Sequence, residues 1–372
     1  MGPQDLTDTM IRLEKVAKVF PGASRPAVDD LDLDVGKGEF VTLVGPSGCG
    51  KTTTLKMINR IIEPSSGRIL IDGADVVAVP PHELRRSIGY VIQQVGLFPH
   101  RTIAQNIATV PALMGWDAGR IKERIEQLAA LVGLDPEMLD RYPAALSGGQ
   151  QQRVGVARAL AADPPLLLMD EPFGAVDPIV RKRLQHEFQA LQQRLGKTVV
   201  FVTHDVDEAI LLGDRMAILN VGGVLEQFDE PATILANPAN AFVEDFLGGE
   251  RGLKRLALLP VGEAQGIRWG PVVDVSANPE EAKRVMEEES TDWIGLLEEG
   301  RLLGWVDGSA VGTGPLRDLV PRPFLVTLGS DASLRSALDA VVTSHARVAM
   351  VVDQGLYRGM LDLEGISEEI TE

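Results

Sequence analysis

A chain of 372 residues, 45% hydrophobic and 24% charged, is long enough for two or three domains with ordinary cores. Its formal net charge of −17 argues against binding a nucleic-acid backbone, which rests on clustered Lys and Arg. The single cysteine, Cys49, excludes an intrachain disulfide, no apolar run approaches the ~18 residues of a membrane span, and the first residues lack a signal-peptide pattern, so a reducing cytosol fits.

In chain order, IRLEKVAKVF (11–20) alternates roughly apolar and polar and predicts an edge-type strand. EFVTLVG (39–45) is a β-rich run that enters GPSGCGKTTT (45–54), and TTTLKMINRI beyond it predicts a helix. GRILIDG (67–73) and IGYVI, just before Gln93, are shorter strand signals. From 102 to 162 the pattern is helical, with Ile121, Ile125, Leu128, Leu131 and Val132 on one face. Strand signals return at 166–169, 198–203 and 215–219, with the helical VRKRLQHEFQALQQRLG between the first two. This alternation predicts a largely parallel, buried sheet with helices on its faces.

After about residue 250 the texture changes, and GGERG (248–252) reads as a linker. WIGLLEEGRLLGWVDGSAV (293–311) aligns with VAMVVDQGLYRGMLDLEGI (348–366) at a constant offset of 55, matching Gly300 to Gly355, Gly304 to Gly359 and Asp307 to Asp362. A helical segment precedes each, so the unit helix–strand–strand is duplicated.

The first glycine stretch, Gly45, Pro46, Ser47, Gly48, Cys49, Gly50, Lys51 and Thr52, followed by Thr53, fits G-x-x-x-x-G-K-[ST] between a strand and a helix. Its backbone amides and the helix dipole suit phosphate oxygens, Lys51 reaches the β- and γ-phosphates, and Thr52 can ligate Mg²⁺. Cys49 fills a free position without chemistry of its own. LLLMDE (166–171) ends a buried strand in two carboxylates, a costly arrangement that a cation or water network resolves. Asp170 would bind Mg²⁺, and Glu171 would orient or deprotonate the attacking water. His204 follows the strand TVVFVT at the sheet edge where α/β ligands bind, which favours a γ-phosphate contact. Gln93 can sense Mg²⁺ or water. LSGGQ (146–150) opens a second helix, placing Ser147, Gly148, Gly149 and Gln150 at another anion-friendly N-terminus. One nucleotide cannot readily fill both loops on separate subdomains, whereas head-to-tail chains can each lend the second loop to the other's ATP.

These motifs, with FGAVD (173–177), occur in the order seen in ATP-binding-cassette (ABC) ATPases, which this chain resembles from residue 11 to about 235. The resemblance implies an α/β P-loop ATPase domain over 1–250 with a helical subdomain at about 95–165. It also implies an ATP sandwich of two chains, Phe20 stacking on adenine and Asp177 at the dimer interface. The stretch 88–116 looks like that of quaternary-amine importer ATPases, which carry paired cystathionine-β-synthase (CBS) repeats. The 251–372 region, with repeats at about 253–311 and 320–372, is similar to such a small α/β tandem-repeat domain. The implied partners are a second copy, transmembrane permease subunits and, through them, an extracytoplasmic substrate-binding protein. The implied place is the cytoplasmic face of the membrane, and a nucleotide second messenger is a candidate at the repeats. Nucleotide-binding repeats often show G-h-h-[ST]-x-x-D. Here Asp307 and Asp362 replace the hydroxyl residue, and Ala310 and Gly365 the aspartate, so two carboxylates would repel a phosphate. Import of another solute, a soluble non-transport ATPase and a non-catalytic nucleotide sensor are the competing readings.

Overall fold

The computed structural model describes residues 8–93, 96–174, 176–344 and 346–371. The start of the N-terminal stretch read above, Gln94 and Val95 in the 88–116 segment, Ala175 in FGAVD and His345 lie outside the described residues. The chain divides into two compact units, Met1–Gly248 and Gly249–Glu372.

The first unit is built on a six-stranded sheet, ordered Val224–Asp229, Arg215–Asn220, Phe40–Val44, Thr198–Val202, Leu166–Asp170, Ile88–Val91. FVTLV, TVVFV and LLLMD are buried at every position, as apolar runs covered on both faces must be. Five strands run parallel, and only Val224–Asp229 pairs antiparallel with its neighbour. Parallel register brings the carboxyl ends of Phe40–Val44, Leu166–Asp170 and Thr198–Val202 to one edge, the usual ligand edge of such sheets.

A second, antiparallel sheet is ordered Val28–Gly36, Thr9–Lys18, Ser66–Ile71, Ala74–Asp75. The strand expected at an edge is therefore interior: Thr9–Lys18 pairs on both sides, and Ile11, Leu13 and Val16 are buried. Its polar alternate residues meet cross-strand partners, Asp34 for Arg12 and Arg68 for Glu14.

The helical segment contains Ile103–Ile107, Thr109–Leu113, Ala118–Leu131 and Gly148–Leu160. Thr102 and Gln105 close the first in a reciprocal capping box, and Asp117 caps the third. Leu128, Ala129, Val154 and Leu160 share one core with Leu167 and Phe201 of the sheet, Phe173 of the turn after Leu166–Asp170 and Phe188 of the helix Pro178–Leu195.

In the second unit, the hairpins Trp293–Glu298/Arg301–Asp307 and Ala349–Asp353/Leu356–Leu361 each follow a helix, Pro279–Glu288 and Leu334–Thr343. Their turns repeat in backbone angle: Glu299 and Gly300 have left-handed φ of 49° and 79°, and Gln354 and Gly355 have 51° and 80°. Positive φ at both central residues is the type I′ pattern suited to a twisted hairpin. The short strands Val272–Asp274 and Thr327–Leu328 add in parallel. Each repeat also lends its leading segment to the other: Arg268 bridges Met360, and Arg322 bridges Trp305.

Candidate nucleotide site

The loop after Phe40–Val44 folds as it does because two of its residues admit no side chain. A Cβ on Gly45 (φ 149°) would lie 2.1 Å from the Leu219 carbonyl oxygen, and one on Gly50 (φ 98°) 2.4 Å from that of Ala27. Gly50 is the N-cap of the helix Lys51–Ile58, and Thr52 and Thr53 stand half-buried in its first turn. Ser47 and Gly48 are exposed at the tip. Cys49 is fully buried beneath the loop, where its Sγ accepts from Lys51 Nζ at 3.5 Å. Lys51, 7% exposed, also donates to the Gly45 and Pro46 carbonyls at 2.7 and 3.1 Å. Its ammonium is thus held inside the curl of the loop.

Thr52 Oγ1 donates to Asp170 Oδ1 at 2.9 Å across 118 residues of sequence. Burial pushes the Asp170 carboxyl above its ordinary range against this bond, and the Glu171 charge adds to the rise. A buried carboxylate in contact with a half-buried hydroxyl is an oxygen pair suited to a hard, oxygen-seeking divalent cation.

Glu171 leaves the strand in the left-handed region (φ 43°), uncommon for a residue with a side chain, and its amide donates to the Val202 carbonyl at 2.9 Å. Its Oε2 accepts from Gln93 Nε2 at 2.8 Å and lies 3.2 Å from His204 Nδ1. Three strand ends therefore deliver Gln93, Glu171 and His204 to one carboxylate oxygen.

The other expected residues stand as follows. Phe20 lies two residues past the strand Thr9–Lys18, 39% exposed, with the Lys18 ammonium 5.3 Å from its ring centroid. Ser147 is the N-cap of Gly148–Leu160, and its hydrogen bonds form a capping box with Gln150. Ser147 and Gly148 are exposed, and a Cβ on Gly149 would press Val180 at 3.2 Å. Asp177 is exposed at the start of Pro178–Leu195, where its carbonyl accepts from the Arg181 amide at 2.8 Å. Among the described residues, no hydrogen bond or ion pair joins Ser147, Gly148, Gly149 or Gln150 to the Gly45–Thr52 loop of the same chain.

Sequence reasoning missed two buried polar residues behind the site, Gln185 and Glu208, hydrogen-bonded to each other at 2.8 Å. Both sit in helices that read as ordinary amphipathic segments, and no local pattern marks them.

In the second unit the expected repulsion of phosphate by Asp307 and Asp362 is offset locally. Asp362 pairs with Arg268 at 2.8 Å and Asp307 with Arg322 at 3.3 Å, each arginine coming from the other repeat's leading segment. Burial raises the Asp362 carboxyl, but the Gly365 amide and Arg268 outweigh it and hold the group below the ordinary carboxylate range. A cavity of about 920 Å³ beside Asp307 is lined by Asp292, Trp293, Trp305, Lys283 and Arg347 among others.

No helix among the described residues is long and apolar enough to cross a membrane. The family model described as ABC transporter matches residues 28–174. The chain is 49% identical over 350 residues to the glycine betaine/carnitine/choline transport ATP-binding protein OpuCA of Bacillus subtilis, covering 93% of this chain and 92% of that one. It is 45% identical to the osmoprotectant import ATP-binding protein OsmV of Salmonella typhimurium, covering 97% and 96%. Among solved structures, the dimeric structure of MJ0796, a bacterial ABC transporter cassette, is 34% identical, with a TM-score of 0.55, and covers 59% of this chain and 98% of that one. A glycine cradle closed to side chains, a lysine–hydroxyl–carboxylate set and a carboxylate shared by three strand ends thus occur in a chain alike over nearly its whole length to osmoprotectant ATP-binding proteins, and this chain belongs to the ATP-binding subunits of ABC transporters, on their quaternary-amine osmoprotectant branch.

Proposed function

We propose that this chain hydrolyses ATP to drive uptake of quaternary-amine osmoprotectants such as glycine betaine, carnitine or choline. The observation that carries the reading is the meeting of Gln93, Glu171 and His204 on one oxygen, next to the Lys51–Thr52–Asp170 set. In this reading Lys51 and the amides of the Gly45–Thr52 loop hold the β- and γ-phosphates, with Phe20 against the adenine. Thr52, Asp170 and Gln93 would hold Mg²⁺, which would supply the positive charge that neutralises the phosphates. Glu171 orients and deprotonates the attacking water, and His204 faces the γ-phosphate.

Ser147, Gly148, Gly149 and Gln150 serve the ATP of a second copy, and Asp177 lies at the same interface. The support is that Ser147 and Gly148 are exposed and that the side-chain hydrogen bonds of Ser147 and Gln150 close only their own helix end. A head-to-tail pair explains two anion-friendly loops in one chain. Transmembrane permease subunits carry the solute, fed by an extracytoplasmic substrate-binding protein, and this chain works peripherally at the cytoplasmic face. The second unit regulates the motor as a tandem CBS-like pair. Its arginine-balanced cavity is the place for a nucleotide second messenger.

The test is Glu171→Gln. ATP binding is expected to persist while turnover falls at least about 100-fold, the scale of a lost general base. With hydrolysis blocked, the variant should run as a dimer on sizing chromatography in Mg-ATP. Turnover like the wild type would sink the assignment.

A further inference from the structure

Glu208 is a buried carboxylate, 6% exposed, with no part in the nucleotide site as described so far. It stands in the first turn of the helix Val206–Leu212, whose N-cap Asp205 accepts from the amides of Asp207 and Glu208. A glutamate three places after an N-cap ordinarily folds back to the N-cap amide. Here the Asp205 amide donates to Thr203 Oγ1 instead, at 3.0 Å. The Glu208 carboxyl is directed out of its own helix. Its Oε1 accepts from Gln185 Nε2 at 2.8 Å, Gln185 being 5% exposed, and the Thr203 side chain is a further partner.

Thr203 and Asp205 are the sequence neighbours of His204 on either side. Gln185 lies on Pro178–Leu195, the helix that follows the turn out of Glu171. Arg181, one helical turn before Gln185, donates to the Val176 carbonyl at 3.0 Å, tying that turn to the same helix. Glu171, Gly174, Arg181, His204 and Glu208 line one crevice. A local capping rule is set aside, and the side chain released spans two segments that must agree for the site to form, a pattern typical of functional positions.

We infer that Glu208 is a positioning residue whose hydrogen bond to Gln185 fixes the His204 segment to the helix following the Glu171 turn, keeping the imidazole within reach of the Glu171 carboxylate. This rests on the roles of Glu171 and His204 given above. The bond is buried, so its loss leaves a buried polar group without its protein partner and frees the two segments to relax independently.

The experiment compares Mg-ATP turnover and thermal unfolding of the full chain with those of Glu208→Ala, Glu208→Gln, Gln185→Ala and the double alanine variant. Glu208→Ala and Gln185→Ala are each expected to lower kcat about 10- to 100-fold, the cost of small misplacement at a reacting centre, with KM for ATP little changed. The double variant should fall no lower than Glu208→Ala, because both changes remove one interaction. Glu208→Gln keeps an oxygen for Gln185 and should retain most of kcat. A kcat per folded molecule that is unchanged in Glu208→Ala, or equally poor in Glu208→Gln, overturns the inference. If Glu208→Ala does not fold, a normal kcat in Gln185→Ala overturns it. His204→Ala separates the two levels. Normal turnover there removes the role of His204 itself. Lost turnover there, beside normal turnover in Glu208→Ala, removes only that of Glu208.

Discussion

At the scale of single residues, the glycine loop sorts into positions that need glycine and one that tolerates a substituent. A methyl group on Gly45 meets the Leu219 carbonyl at 2.1 Å, whereas one on Gly48 (φ 79°) meets nothing within 4 Å. Gly45→Ala is therefore expected to abolish binding in a fluorescent ATP-analogue titration and to lower the melting temperature. Gly48→Ala should weaken binding modestly, through about 1–2 kcal/mol of left-handed strain. Equal behaviour of the two variants would show that the loop rearranges freely. Much of the site was legible because its chemistry is sequential: Lys51 and Thr52 share one motif, and Asp170 and Glu171 end one apolar strand. The agreement of Gln93, Glu171 and His204 on one oxygen was not legible. It depends on the parallel register that sets Ile88 beside Leu166 and Leu166 beside Thr198. Cys49 shows the limit of motif reading in the other direction, since a position free in the pattern is filled here by a buried side chain against Lys51.

At the scale of elements, the apolar strands of the main sheet were readable and the edge of the antiparallel sheet was not. VDDLDLDVG has Leu31, Leu33 and Val35 in strict alternation and buried, but aspartates between them lower any strand expectation. Those aspartates make sense only once Val28–Gly36 is known to be an edge, where outward charge discourages pairing with another chain, and Lys15 reaches Asp30 and Asp32 across the sheet. Downstream, the glycines matched at an offset of 55 include a pair inside the second strand of each hairpin. Gly304 and Gly359 repeat at φ 147° and 150°, each with backbone against it: a Cβ would lie 2.3 Å from the Arg322 oxygen and 2.8 Å from that of Arg268. Gly304→Ala should open the Trp305–Arg322 bridge and destabilise the second unit by about 1–3 kcal/mol, the usual cost of overpacking. Calorimetry should show the second unit's transition lowered while ATP turnover stays normal. An unshifted transition would mean the bridge contributes nothing.

At the scale of the molecule, charge is unevenly spread. Residues 252–372 hold 20 Asp and Glu against 11 Lys and Arg, a net of −9 in 121 residues, while the first 251 hold 33 against 25. Charge per residue is about twice as high in the second part. An acidic module near an anionic membrane surface is repelled over a Debye length of about 10 Å at 0.1 M salt, and the repulsion weakens as salt rises. Truncation after Gly252 should leave basal ATPase activity and nucleotide affinity intact. In reconstituted vesicles with the permease it should change how transport depends on internal salt or on an added messenger. Loss of ATP hydrolysis, or an unchanged salt and messenger response, would show that the second unit is no regulator.

The exchange of leading segments at Arg268–Met360 and Arg322–Trp305 also defines a load path. Tension applied along the chain from Gly249 meets its first β bridges, Pro260–Ser333 and then Arg268–Met360, not within the nearer repeat but against the farther one. Pulling one repeat away therefore peels backbone from the other, as in crossed lacing. The two halves would yield together, in one step, where beads on a string would yield in turn.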